Sequence, residues 1–335
     1  MKLRPILAAT LLALCAGASA QSSLVVFGVV DLAARIVDND DKQYQLASGG
    51  DRASRLGFRG TEDLGGGLSA GFWLEATLRP DTADSSFGFD RRSTVSLSSQ
   101  AAGELRLGRD RTPTYLDWVD YDPFGDGGLG ASTRMTVASG IVPAGGAYNT
   151  FKRADNLVSY FTPGALGGVF AQLSAAPGEN QLGNKYYGAR LGYHDGSLAG
   201  SASYGKTQVT ANDDAVNWNI GGSFDFKSFQ LMGLYSSLEI GPSSQENWML
   251  GVTAPFGPWQ VRGSYQGMNG KGGLSGQEAW GLAVGGVYSL SKRTALYATY
   301  STISNTGTSF AVASGPPLTR GNDSSGIDFG IRHLF

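Results

Sequence analysis

Side chains able to do covalent or metal chemistry are few in this chain, and they do not cluster. The two histidines are far apart: His194 lies in a polar, turn-like stretch and His333 on the apolar side of an alternating run at the C terminus. A zinc site or a catalytic triad needs several donors brought together, so neither a metal, nor another cofactor, nor catalysis is expected. The one cysteine, Cys15, lies in an N-terminal apolar run. Gly125-Asp126-Gly127-Gly128-Leu129-Gly130 has the spacing of a dinucleotide fingerprint. That motif works only between a strand and a helix whose N terminus holds the pyrophosphate. No such pattern flanks it, and the segment reads as loop. What remains is charge: Asp117, Asp120, Asp122 and Asp126 are interleaved with Trp118, Tyr121 and Phe124, and arginines recur on one side of alternating runs elsewhere. Charges set across a narrow, water-filled passage decide which ions pass, because few waters are there to screen them.

The elements that would carry these charges are strands. From 68 to 78 the even positions read Leu, Ala, Phe, Leu, Ala, Leu, while the odd ones carry Ser69, Gly71, Trp73, Glu75 and Thr77. Near the start, Leu24, Val26, Gly28, Val30, Leu32, Ala34 and Ile36 share one face, and Asp31 and Arg35 the other. A period of two held for about ten residues fits a strand crossing a membrane, apolar toward lipid and polar toward water. Further strands are predicted near 52–64, 89–99, 104–110, 154–162, 168–174, 185–193, 198–208, 215–226, 229–238, 247–254, 259–268, 277–289, 294–304 and 325–335, sixteen in all.

Composition and targeting agree. Lys2 and Arg4 precede an apolar stretch that ends in Ala18-Ser19-Ala20, a secretory signal cleaved before Gln21. A lipoprotein signal would want a small residue before Cys15, and Leu14 stands there. The expected organisation is a signal over 1–20 and one barrel domain over 21–335, with no cysteine left for disulfides. The signal takes two of 26 basic residues and none of 28 acidic ones, leaving 24 − 28 = −4, which argues against a nucleic-acid partner. Fifty glycines, with 14 tyrosines and 16 phenylalanines, disfavour a helical fold. No apolar run after residue 20 is long enough for a membrane helix. A membrane protein of this kind closes as a barrel, since lipid cannot satisfy an open sheet edge.

Connections fall into two kinds. Short turns recur at 64–67, 163–165, 194–196, 227–228, 255–258 and 289–293. Longer polar loops are expected at 38–51, 80–88, 111–153, 175–184, 209–214, 239–246, 269–276 and 305–324. Short turns on one rim and long loops on the other suit a bacterial outer-membrane barrel. The segment 111–153 is by far the longest, and its aromatics favour a loop folded back into the lumen over a disordered one.

With these features the chain resembles the general porins of Gram-negative bacteria, of the betaproteobacterial and neisserial trimeric type. The likeness is carried by residues 54–65 (Ser-Arg-Leu-Gly-Phe-Arg-Gly-Thr-Glu-Asp-Leu-Gly), Gly71-Phe72-Trp73-Leu74-Glu75, the stretch 103–109, Leu290-Ser291-Lys292-Arg293-Thr294 and Gly330-Ile331-Arg332-His333-Leu334-Phe335. It implies a sixteen-stranded antiparallel transmembrane β-barrel, all-β, whose long third loop folds into the lumen. It also implies a constriction with basic residues on the wall facing acidic residues on that loop. Carried over, the wall residues are Arg55, Arg91 and Arg153, with Arg59 and Arg92 as further members. Parity supports Arg55, which shares a face with Gly57 and Arg59. At the Arg91-Arg92 pair parity favours Arg92 and the resemblance favours Arg91. On the loop, Asp122 and Asp126 are the preferred partners, with Asp120 and Asp117 in reserve. The terminal Phe335 is implied as a signal to the barrel-assembly machinery. The expected function is passive diffusion of ions and small hydrophilic solutes through a homotrimer in outer-membrane lipid, with mild anion preference. A channel selective for small carboxylates or aromatic acids, and a surface barrel serving as adhesin, are the alternatives.

Overall fold

The structure, a computed structural model, describes residues 23–83 and 87–335. The expected signal segment lies outside the described residues. The strands are β1 (Ser23–Asn39), β2 (Asp41–Ser48), β3 (Arg55–Gly65), β4 (Leu68–Thr77), β5 (Arg92–Ser99) and β6 (Gly103–Arg111). After a helix α1 (Pro113–Asp120) come β7 (Arg153–Phe161), β8 (Val169–Ala176), β9 (Tyr186–His194), β10 (Leu198–Gln208), β11 (Asp214–Asp225) and β12 (Gln230–Ile240). The last five are β13 (Ser243–Phe256), β14 (Trp259–Lys271), β15 (Glu278–Ser289), β16 (Thr294–Thr306) and β17 (Ser324–Leu334).

Every pairing is antiparallel between neighbours, and β17 returns to β1, with Ala34 opposite Phe329 and Val29 opposite Leu334. The opposite edge of β1 pairs first with β3 (Val26 with Phe58) and then with β2 (Ala34 with Leu46). β2 and β3 are therefore one stave, interrupted by a bend at 49–54. Seventeen segments, two of them sharing a stave, close a barrel of sixteen.

Burial follows the parity read from sequence. Leu24 is 67% exposed and Val26 51%, while Asp31, on the other face of β1, is fully buried. Toward lipid, every backbone group must find its partner in the neighbouring strand, and the closed ladder of registers provides it.

The short turns fall where expected. Three of the predicted long loops do not. Residues 38–51 form a hairpin, β1 running into β2 through Asp40 at φ 69°. Only Gly241 and Pro242 separate β12 from β13, and 269–276 is mostly strand end and one 3-10 turn. The 43–46 run keeps the period of two, with Tyr44 and Leu46 exposed beside Gln43 and Gln45, but it is short and bounded by the charges of 38–42 and by Gly49-Gly50, which have the character of loop.

The long segment between β6 and β7 makes its contacts with inward-facing wall residues. The Tyr121 hydroxyl lies 2.8 Å from Ser201 Oγ, and the Gln245 amide accepts from Ala138 N–H and donates to the Met135 carbonyl. Leu129, Met135 and Ile141 join Val37, Leu238, Ile240, Ile303 and Val312 in one buried cluster. Tyr115, Trp118, Tyr121 and Phe151 form another with Leu234 and Met249. The wall makes room with glycine: a Cβ at Gly221 would stand 2.3 Å from the Tyr121 ring. Gly221→Leu should thus displace the ring, at about 1–3 kcal/mol for overpacking. Single-channel conductance is expected to change while the folded barrel keeps its heat-modifiable gel mobility. Unaltered conductance would show that this contact does not fix the loop.

Candidate functional site

The wall charges come from consecutive strands. β3 carries Arg55 and Arg59, β4 Trp73 and Glu75, β6 Arg106, Asp110 and Arg111, and β7 opens on Arg153. Arg91 donates through Nε to Glu75 Oε1 at 2.6 Å, and Arg55 Nε lies 3.8 Å from the same oxygen. Arg153 Nε donates to the Arg91 carbonyl at 2.7 Å. Of the three arginines carried over from the resemblance, two thus share the Glu75 carboxylate and the third, Arg153, is tied to the backbone of Arg91. Arg92 lies beside them, 3.6 Å from Asp110, and Arg106 is forked onto Glu104 and reaches Asp110 at 2.8 Å. One cavity of ≈ 230 Å³ is lined by Arg55, Arg91, Arg92, Arg106, Arg111 and Arg153 against Glu75 and Asp110. The lining surplus is 6 − 2 = 4 positive charges.

Of the four loop aspartates, Asp126 is the one brought to these arginines. It accepts from Arg111 Nη2 at 2.6 Å. Burial pushes its pKa up, but Arg111, Arg91, Arg153 and Arg55 outweigh burial and hold it below the usual carboxylate value. Asp122, expected as its companion, turns its oxygens to the loop itself. It accepts from Phe124 N–H at 2.7 Å, Ser132 N–H at 2.7 Å and Ser132 Oγ at 2.5 Å. Its carboxylate closes the Pro-Phe-Gly turn. Asp117 is buried against Arg190 (2.6 Å), Ser201 and Ser203, which fasten α1 to β9 and β10. Asp120 takes the other arm of Arg190 at 2.7 Å. Arg59 sits apart from Glu75, its guanidinium over the rings of Phe27 and Trp73.

A family model described as Gram-negative porin matches residues 8–308. The chain belongs to the Gram-negative porins. An outer membrane porin protein of Delftia acidovorans is 36% identical over 99% of both chains, and one of Bordetella pertussis is 29% identical over 99% of this chain and all of the other. Among solved structures, an anion-selective porin from Comamonas acidovorans superposes with a TM-score of 0.85 at 34% identity, covering 94% of this chain and 100% of that one. The porin is accordingly a multi-pass β-barrel of the Gram-negative outer membrane, a passive channel.

Both members of the expected Arg91-Arg92 pair line the cavity, because Arg91 precedes β5 and strand parity does not bind it. Other residues of the porin's wall were not singled out from the sequence. Arg111 falls at the start of the expected loop but is the last residue of β6, directly opposite Arg153. Glu75 was legible, being the charge on the polar face of β4. Arg190 carries no motif; its place opposite α1 follows only from the fold.

Asp122 has a pH consequence. Burial raises its pKa from 3.8 to about 6, against the opposing donors from Ser132 and Phe124. A carboxyl with a raised folded-state pKa holds more protons folded than unfolded, so its stabilising contribution is full below the unfolded value and lost as pH rises through about 6. The stability advantage of wild type over Asp122→Asn should therefore widen as pH falls from 7 to 4 in urea unfolding of the barrel. A constant gap would refute the assignment.

Proposed function

We propose that this porin passes small anions in preference to cations, by diffusion between the wall arginines and Asp126 on the loop folded into the lumen. The observation that carries this reading is the lining surplus of four guanidinium charges. Asp126 offsets one of them, through Arg111. An anion entering a passage of that charge is favoured, and a cation must approach uncompensated arginines. The Comamonas relative is itself an anion-selective porin. We further propose that the porin works as a homotrimer, as the family resemblance implies, and that Phe335 serves recognition by the assembly machinery. Phe335 is paired with Gly28 through its backbone and turns outward, 43% exposed. The zero-current potential across a planar bilayer with a KCl gradient tests the selectivity. Its sign should report chloride as the more permeant ion, and a potassium-selective sign would overturn the proposal.

A further inference from the structure

Beyond the constriction, toward the rim of short turns, lies a second chamber of ≈ 480 Å³ lined by Arg59, Trp73, Arg92, Ser96, Glu104 and Arg106 among others. Three guanidiniums against one carboxylate leave it positive by 3 − 1 = 2. Trp73, Arg92 and Arg106 line the upper cavity too, so the chambers meet at this tryptophan. Arg59 is directly opposite Trp73 in the β3–β4 register. Its guanidinium lies 5.2 Å from the Trp73 ring centre and 5.6 Å from that of Phe27, and that of Arg92 lies 4.5 Å from Trp73. Among the described residues no carboxylate stands within ion-pair distance of Arg59. A carboxylate partner would fix a guanidinium and cancel its charge. An aromatic ring fixes it and leaves the charge in place.

From this we infer that Trp73, with Arg59 and Arg92, forms a second anion station on the turn side of the constriction, one that takes carboxylates carrying a flat aromatic ring. The inference rests on the anion-preferring reading above and names a solute class for it. The N–H edges of Arg59 meet the carboxylate. The apolar faces of the rings, and the flat guanidiniums stacked on them, meet the body of the acid. A short aliphatic acid finds the charge and little else. Trp73 is here a specificity residue; it acts on the solute directly and through the arginine it steadies.

The test compares benzoate and acetate as blockers of chloride current through single channels, with the KCl zero-current potential read on the same membranes. Benzoate should half-block wild type at a concentration about fivefold below acetate, equivalent to about 1 kcal/mol. Trp73→Phe should keep that preference and Trp73→Leu reduce it to under about twofold, an amount near the lower range of a single ring contact. Arg59→Gln, at an exposed position, should weaken block by both acids alike and leave their ratio nearer wild type. Equal half-blocking concentrations in wild type, or an unchanged ratio in Trp73→Leu, overturn the station; so does undiminished block in Arg59→Gln. If Trp73→Leu yields no folded barrel, the wild-type ratio and the Arg59→Gln result decide alone. A cation-selective potential in KCl would instead overturn the parent reading, whichever acid blocks better.

Discussion

Replacing Arg55, Arg91 and Arg153 together by glutamine is expected to lower the chloride-to-potassium permeability ratio about tenfold. The lining surplus falls from four to one, since Arg92, Arg106 and Arg111 then face Glu75 and Asp110. A unit charge about 4 Å from an ion contributes about 1 kcal/mol even at the dielectric of water. Half of that from each of three arginines is about 1.5 kcal/mol, near a factor of ten. The triple change also strips Glu75 of both arginines it holds, at 2.6 and 3.8 Å, so a carboxylate that was compensated now repels the permeant anion. Glu75→Gln in the wild-type wall should act the opposite way and raise the ratio. Both effects should shrink as salt is raised from 0.1 to 1 M, because the screening length falls from about 10 to about 3 Å. Zero-current potentials at the two salt concentrations check this. A ratio changed less than about twofold at low salt, where such charges act most strongly, would place the filter elsewhere.

How much of this was readable beforehand depends on which physical constraint a residue answers to. Lipid forces one face of a strand to be apolar, so Asp31 and Arg35 could be set against Leu32 and Ala34 from spacing alone, and their burial agrees. Where an alternating run is short, spacing says less: Gln43-Tyr44-Gln45-Leu46 in β2 alternates too, yet charged residues and the Gly49-Gly50 pair bound it closely on both sides. Arg55 obeyed parity because it opens β3. Arg91 did not, because it lies outside β5, and only the resemblance placed it. The loop aspartates were the weakest step for a related reason. Nothing in local spacing says whether a carboxylate will face the lumen, as Asp126 does, or be consumed by the loop's own N–H groups, as Asp122 is. That choice is made by the path of the loop over the wall. The glycines that receive it, Gly221 under Tyr121 and Gly251 under Pro123, lie far away in sequence.

Asp117, also read as a possible pore charge, supports the second large expectation. It is fully buried, and Arg190 opposite is 7% exposed. Removing one member of a buried pair costs up to about 3–5 kcal/mol when nothing else compensates the charge left behind. In Asp117→Ala the remaining carboxylate partner of Arg190 is Asp120, which is about half exposed and compensates the buried charge only in part. The loss falls on the docking of α1, not on the barrel, whose strands are held by continuous backbone ladders. The variant should therefore fold, yet show larger and noisier single-channel currents as α1 lifts from β9 and β10. The loop should also become cleavable by protease added to membranes. A simple loss of barrel stability would give the same low yield for any destabilising change, and a second variant separates the cases. In Asp117→Ala with Arg190→Leu no unpaired buried charge remains, and an apolar pair in place of a buried ion pair is often neutral or stabilising. The aromatic cluster of Tyr115, Trp118 and Phe151 can then still seat the helix. Quiet, wild-type-sized currents should return in the double variant. If the double variant is as noisy as the single one, the loop is held by the hydrogen bonds from Ser201 and Ser203 to Asp117, and the ion pair is incidental.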